Sequence, residues 1–152
     1  MVSNYKIFKT IAIVLGLIIF FSLIYDYKNS MGKVNQNYIE ANNNFLKKNY
    51  LKALDLYRKV SELEPNNLFA LEGEARCLMR LQNHNEALEI FKLVLKRDKN
   101  FVPALTNIAI LYDTIEDYEK AIIYYRKAIQ QDQRLLNRMS WFNRFIKNIH
   151  FK

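Results

Sequence analysis

Three alanines, Ala53, Ala87 and Ala121, stand 34 residues apart, and two further series keep the same step. Ala41, Ala75 and Ala109 precede that trio, and the aromatics Tyr57, Phe91 and Tyr125 follow it by four residues. One period shared by three registers means a repeated structural unit. Small residues belong where the two helices of a hairpin cross, because a bulky side chain there would hold the backbones apart. An aromatic one turn later fills the space beside that contact and reaches toward the next hairpin. No hairpin of this kind buries its apolar face alone, so the three have to stack as one cooperative unit.

On these residues the chain resembles the tetratricopeptide repeat, whose motif has a small residue on helix A, an alanine and then an aromatic on helix B, and a proline near the end. The third unit fits best, with Leu105, Ala109, Tyr112, Ala121, Tyr125 and Ala128. The resemblance covers about Val34 to Gln133. It implies an all-α fold, a three-repeat TPR-like helical solenoid with repeats at 34–67, 68–101 and 102–133. In the first repeat helix A is expected from about Val34 to Lys47 and helix B from near Asn49 to Glu64, with Pro65, Asn66 and Asn67 as the stop signal. Lys99 stands where the second repeat would have its proline, and Pro103 opens the third repeat where a missing N–H does little harm. Asn49, Asn83 and Asp117 recur just before each helix B and are expected to cap it, with Asn83 and Glu86 at capping-box spacing.

The ends differ from the middle. The chain carries a formal charge of +8, yet residues 34–133 hold 14 basic and 14 acidic side chains. The excess lies in Lys6, Lys9, Lys28 and Lys33, opposed only by Asp26, and in Arg134, Arg138, Arg144, Lys147 and Lys152, opposed by no acid. A nucleic-acid binder would put a basic stripe on the folded face, so no nucleic-acid partner is expected.

Residues 1–6 form a short tail, and Ile7 to Tyr27 is apolar enough and, at about 31 Å as a helix, long enough to cross a bilayer. Lys9 can snorkel, and Tyr25 and Tyr27 suit an interfacial aromatic belt. This segment is expected to be a single transmembrane helix, joined by a polar linker at 28–33 to the repeats. The competing reading is a signal peptide cleaved after Gly32, releasing a soluble exported subunit. Lys and Arg are balanced two against two across the span. The short, positively ended amino terminus favours repeats on the periplasmic or equivalent outer side, with a cytoplasmic placement as the alternative. After Gln133, Leu135, Met139, Phe142, Ile146 and Ile149 continue at helical spacing. Residues 134–152 therefore read as a basic amphipathic capping helix, on which Arg138, Trp141, Arg144 and Lys147 are candidates for a lipid surface.

No nucleophile, metal or phosphate signature is found, so neither enzymatic activity nor a cofactor is expected. Cys77, among Leu78 and Met79, reads as a packed thiol, and His84 and His150 are too separated to suggest a metal pair. The resemblance instead implies function in the concave groove lined by the A helices. The family's groove positions fall on Tyr38, Asn42 and Phe45, on Phe69, Glu72, Arg76, Met79 and Arg80, and on Thr106, Asn107, Ile110, Asp113 and Thr114. Such a mixed surface suits an extended or helical peptide from a protein partner. The subclass that clamps a terminal carboxylate of chaperone tails is not matched: of its positions only Asn42 agrees, while Gly73, Pro103 and Asn107 replace the residues required.

Overall fold

All six alanines of the 34-residue register, Ala41, Ala53, Ala75, Ala87, Ala109 and Ala121, have no exposed surface, and neither do Tyr57 and Phe91, while Tyr125 keeps 1%. The structure, a computed structural model, describes the backbone of residues 2–135 and the side chains of residues 7–135. Among the described residues the chain is all helix: α1 (Val2–Leu46), α2 (Tyr50–Leu63), α3 (Leu68–Arg80), α4 (His84–Arg97), α5 (Val102–Thr114) and α6 (Tyr118–Gln131). The end of α1 with α2, α3 with α4, and α5 with α6 form three antiparallel hairpins. One apolar core runs through all of them, from Ala41 to Tyr125. The C-terminal segment expected to cap the last hairpin, with Arg138, Trp141, Arg144 and Lys147, lies outside the described residues apart from its start at Arg134 and Leu135.

The period extends to the backbone. Lys48, Gln82 and Glu116 have φ of 63°, 65° and 62°, one left-handed residue at the end of each first helix. In each turn the next N–H reaches back five residues, from Asn49 to the Asn44 carbonyl, Asn83 to Leu78 and Asp117 to Tyr112, all at 2.9 Å. This closure satisfies the last carbonyls of helix A within three residues and turns the chain straight back. The expected capping is met only in part. Asn49 and Asn83 make no side-chain cap, with ψ of 64° and 62°, whereas Asn67, at ψ 93°, accepts from the Ala70 N–H. Only Asp117 of the expected trio caps, accepting from Lys120 N–H at 3.2 Å. Asp117 does so at ψ 71°, close to the ψ of Asn49 and Asn83, so the shared turn backbone does not by itself prevent capping. Glu86, the other half of the expected capping box, instead accepts from Arg58 at 2.7 Å.

The backbones of successive A helices approach each other, α1 to α3 and α3 to α5, while those of successive B helices stay farther apart and are bridged by long side chains such as Arg58 and Glu86. The stack is therefore tighter on the A side, which becomes concave. The outer face of the first repeat is polar by the same register. Where α3 presents buried Ala70, Glu74 and Cys77 and α5 presents buried Ala104, Ile108 and Leu111, α1 presents exposed Gln36, Glu40 and Asn43. Glu40 pairs with Lys52 at 2.7 Å, so this face is finished rather than left for another hairpin.

The polar linker expected at 28–33 is not a break: α1 continues through it without interruption. Asn29, Ser30 and Gly32 each lower helix propensity by about 1 kcal/mol or less, and no proline intervenes. With helix already formed on both sides, no new nucleation step is required, so the segment propagates. The part of α1 from Ile7 onward is long and apolar enough to cross a membrane and has none of its apolar window buried against the rest of the protein.

The first inter-hairpin joint rests on Gly73. A Cβ there would lie 2.5 Å from both Cε1 and Cζ of the Tyr57 ring, and that ring is fully buried with its hydroxyl held by Asn42 at 2.7 Å. Gly73→Ala is expected to destabilise the fold by about 1–3 kcal/mol through overpacking. In a Tyr57→Leu background the same change should be neutral or stabilising, since alanine is the better helix former. Chemical denaturation of the four proteins in this cycle measures the coupling.

Candidate partner-binding groove

The positions assigned to the groove lie on α1, α3 and α5, and a polar chain links five side chains across all three hairpins. The Tyr57 hydroxyl donates to Asn42 Oδ1 at 2.7 Å, while Asn42 Nδ2 donates to the Tyr38 carbonyl at 3.0 Å. Arg76 Nη2 lies 3.5 Å from the same Tyr57 oxygen, and its Nε pairs with Glu72 Oε1 at 3.1 Å. Asn107 Nδ2 then donates to Glu72 Oε1 at 2.7 Å, carrying the chain into the third repeat. The Arg76 guanidinium also lies over the Phe45 ring, 4.5 Å from its centroid. Tyr38 packs edge-on to Tyr57 at 6.0 Å.

Burial sets the character of these groups. Glu72 keeps 8% of its side-chain surface and Arg76 30%. Burial raises the Glu72 carboxyl, opposed by the Arg76 charge and the Asn107 hydrogen bond. The Tyr57 phenol is pushed up to about 12 by burial, so it remains a donor at physiological pH. Cys77 is fully buried and its thiol is likewise pushed up to about 12, as a packed thiol should be. Burial also raises Asp113.

Not every assigned residue joins this constellation. Phe69 stands 57% exposed and packs edge-on against Phe101 at 5.1 Å, at the opposite end of α3 from Arg80. Thr106 and Thr114 donate back into α5, to the Val102 and Ile110 carbonyls. Met79 and Ile110 are half-buried against the core. Arg80 is exposed. The sequence reading missed Tyr57, which it placed in the packing register of helix B. Its ring does pack there, but its hydroxyl enters the concave side. The available signal was the choice of tyrosine where Phe91 serves the same packing role one repeat later. Among the described residues no group of three or more His, Cys, Asp or Glu is arranged to hold a metal ion.

A raised Glu72 carboxyl means that the folded state holds its proton more tightly than the unfolded chain. The native state is then favoured at low pH, and this contribution is lost as pH rises from the ordinary carboxylate range through the folded value. Glu72→Gln keeps the carbonyl acceptor for Asn107 and is expected to remove that part of the pH dependence. Urea midpoints of both proteins between acid and neutral pH check this, with a smaller fall for the variant.

The tetratricopeptide-repeat profile matches residues 45–109 and again 102–134. The RNA polymerase-associated protein CTR9 of Saccharomyces cerevisiae is 33% identical over 109 residues, 66% of this chain and 10% of that protein. The chain spans less than a third of the length of the curated relatives it matches first. Among solved structures, the TPR2B domain of yeast Sti1 in its complex with pHsp70 superposes with a TM-score of 0.65 at 22% identity, over 78% of this chain and 94% of that one. The first TPR of Spaghetti (RPAP3), bound to an HSP90 peptide, gives 0.62 at 19% identity, over 66% of this chain and 80% of that one. At these identities the likeness to solved structures is one of fold. The profile matches, the buried alanine register and the hairpin stack agree, and the chain belongs to the tetratricopeptide-repeat family.

Proposed function

We propose that this protein is a membrane-anchored adaptor that recruits or assembles other proteins beside a bilayer, holding a partner peptide or helix in the concave face of its repeats. One observation carries the reading: α1 is a single helix whose exposed apolar part, from Ile7 to Tyr27, continues unbroken into the first wall of the groove. An isolated helix apolar on all sides is stable only with lipid or protein around it, and the repeats do not cover this one. The competing reading, an exported subunit cleaved after Gly32, would cut α1 in mid-helix.

The family consists of protein-interaction scaffolds, and two structural neighbours hold Hsp70 or HSP90 peptides. The groove of this chain favours a different ligand. Asn42 and Asn107, at two positions that serve the carboxylate clamp, are engaged with Tyr57 and Glu72, and the buried Glu72 carboxylate would oppose a terminal carboxylate. Phe45, Met79 and Ile110 offer apolar contact around Arg76, which fits an amphipathic or extended segment with an acidic side chain near its middle. The basic residues Arg138, Arg144 and Lys147, with Trp141, would add contacts to an anionic lipid surface.

Alkaline carbonate washing of membranes should leave the protein in the pellet, and extraction into the supernatant would sink the anchor. Arg76→Glu with Arg80→Glu should lower partner capture while far-ultraviolet circular dichroism stays unchanged; undiminished capture would move the partner to another surface.

The repeats are placed on the outer side of the membrane on the flank argument. Asn85→Cys in a Cys77→Ser background should react with a membrane-impermeant maleimide on intact cells. Reaction only after lysis would put the domain in the cytoplasm.

A further inference from the structure

We infer that the end of the solenoid carrying the α2–α3 and α4–α5 turns is a second lipid-contact surface, seated in the headgroup layer of the bilayer. The inference rests on the membrane-anchor reading and adds to it a surface that no membrane segment contributes. The distance is set by α1. Val34 packs with Val60 and Ala70, which puts this turn of α1 level with the last turn of α2 and the first of α3. Val34 is seven residues beyond Tyr27, about 10 Å of helix. From Val60 the chain runs back toward the apolar segment through Leu63 before turning, which removes about 4 Å of that separation. The α2–α3 turn at 64–67 therefore lies about 6 Å from the level of Tyr27, and a headgroup layer is about 5–8 Å deep. Since α1 has no break between the two levels, the turn has no freedom to stand farther away.

The side chains at this end suit that environment. Leu63 is 53% and Phe69 57% exposed, and in the next repeat Arg97 and Lys99 take the register positions of Leu63 and Pro65. Arg97 reaches across to the Pro65 carbonyl and ties the two turns together. Against Lys96, Arg97 and Lys99 stand Glu62, Glu64, Asp98 and Asp132. Asp132 pairs with Arg134, while Glu64 and Asp98 accept from the neutral Asn67 amide and Asn100 N–H, so with Arg134 counted this end balances four basic against four acidic side chains. Exposed Lys96 and Lys99 have no ion pair among the described residues. Exposed apolar side chains beside lysines, whose aliphatic stems can lie along acyl chains while the ammonium stays in water, match the boundary between acyl chain and headgroup.

The test uses the full chain in vesicles of phosphatidylcholine and phosphatidylglycerol, in a Cys77→Ser background, with a fluorophore on Asn66→Cys, Asn83→Cys or Leu17→Cys. Headgroup-attached spin labels should quench Asn66→Cys, in the α2–α3 turn, several-fold more than Asn83→Cys, at the opposite end. Adding Lys96→Glu and Lys99→Glu should reduce that quenching. Equal, weak quenching at both turns while chain-attached spin labels quench Leu17→Cys would overturn the lipid contact and leave the anchor standing. No quenching of Leu17→Cys would overturn both.

Discussion

The closeness with which helix A lies against helix B governs the rest of this molecule. Six alanines without exposed surface hold that contact in all three hairpins, and a larger side chain at any of them would separate backbones that the three-residue turns keep near. Those turns require a left-handed residue, and Lys48, Gln82 and Glu116 occupy it although none is glycine. A non-glycine residue there costs roughly 1–2 kcal/mol, which the packed hairpin offsets. Close pairing within each hairpin, together with the closer approach of successive A-helix backbones than of successive B-helix backbones, bends the stack and creates the concave side.

Within that regular frame the groove is made by departures from the repeat. Position 73 is glycine so that the Tyr57 ring can enter, and its counterpart one repeat later is Asn107, which reaches back to Glu72. Tyr57 brings a hydroxyl where Phe91 brings none. The result is a buried carboxylate, its arginine, two amides and a phenol arranged across three hairpins. The pairing is kept together by mutual desolvation: Glu72 without Arg76 would leave a buried charge uncompensated, and the reverse would leave Arg76 partly buried over Phe45.

A helix that is exposed and apolar at one end and packed into the repeats at the other transmits orientation. In α1 the same backbone hydrogen-bond ladder serves both parts, so the direction of the apolar segment sets the direction of the A helices that follow. On the membrane-anchor reading, the groove would be held at a set height and angle beside the bilayer, a stiffer arrangement than a flexible tether would allow.

The period in the sequence was enough to establish six helical segments in the repeats, the buried alanines and aromatics, and the family, because close packing restricts those positions to small or aromatic residues whatever surrounds them. The positions assigned to the groove came from the family resemblance, and the structure places them on α1, α3 and α5. Three matters were decided only in three dimensions. Asn49, Asn83 and Asp117 look alike as caps by spacing and share one turn geometry, yet only the Asp117 side chain accepts a helix N–H. Residues 28–33 look like a linker by composition, but helix on both sides carries them through. The polar chain from Asn42 to Asn107 joins residues up to 65 positions apart, and its members meet only because stacking brings three hairpins into contact. Spacing along a chain constrains what lies within a turn or two of helix; which charges and hydroxyls share a buried space depends on how the hairpins pack.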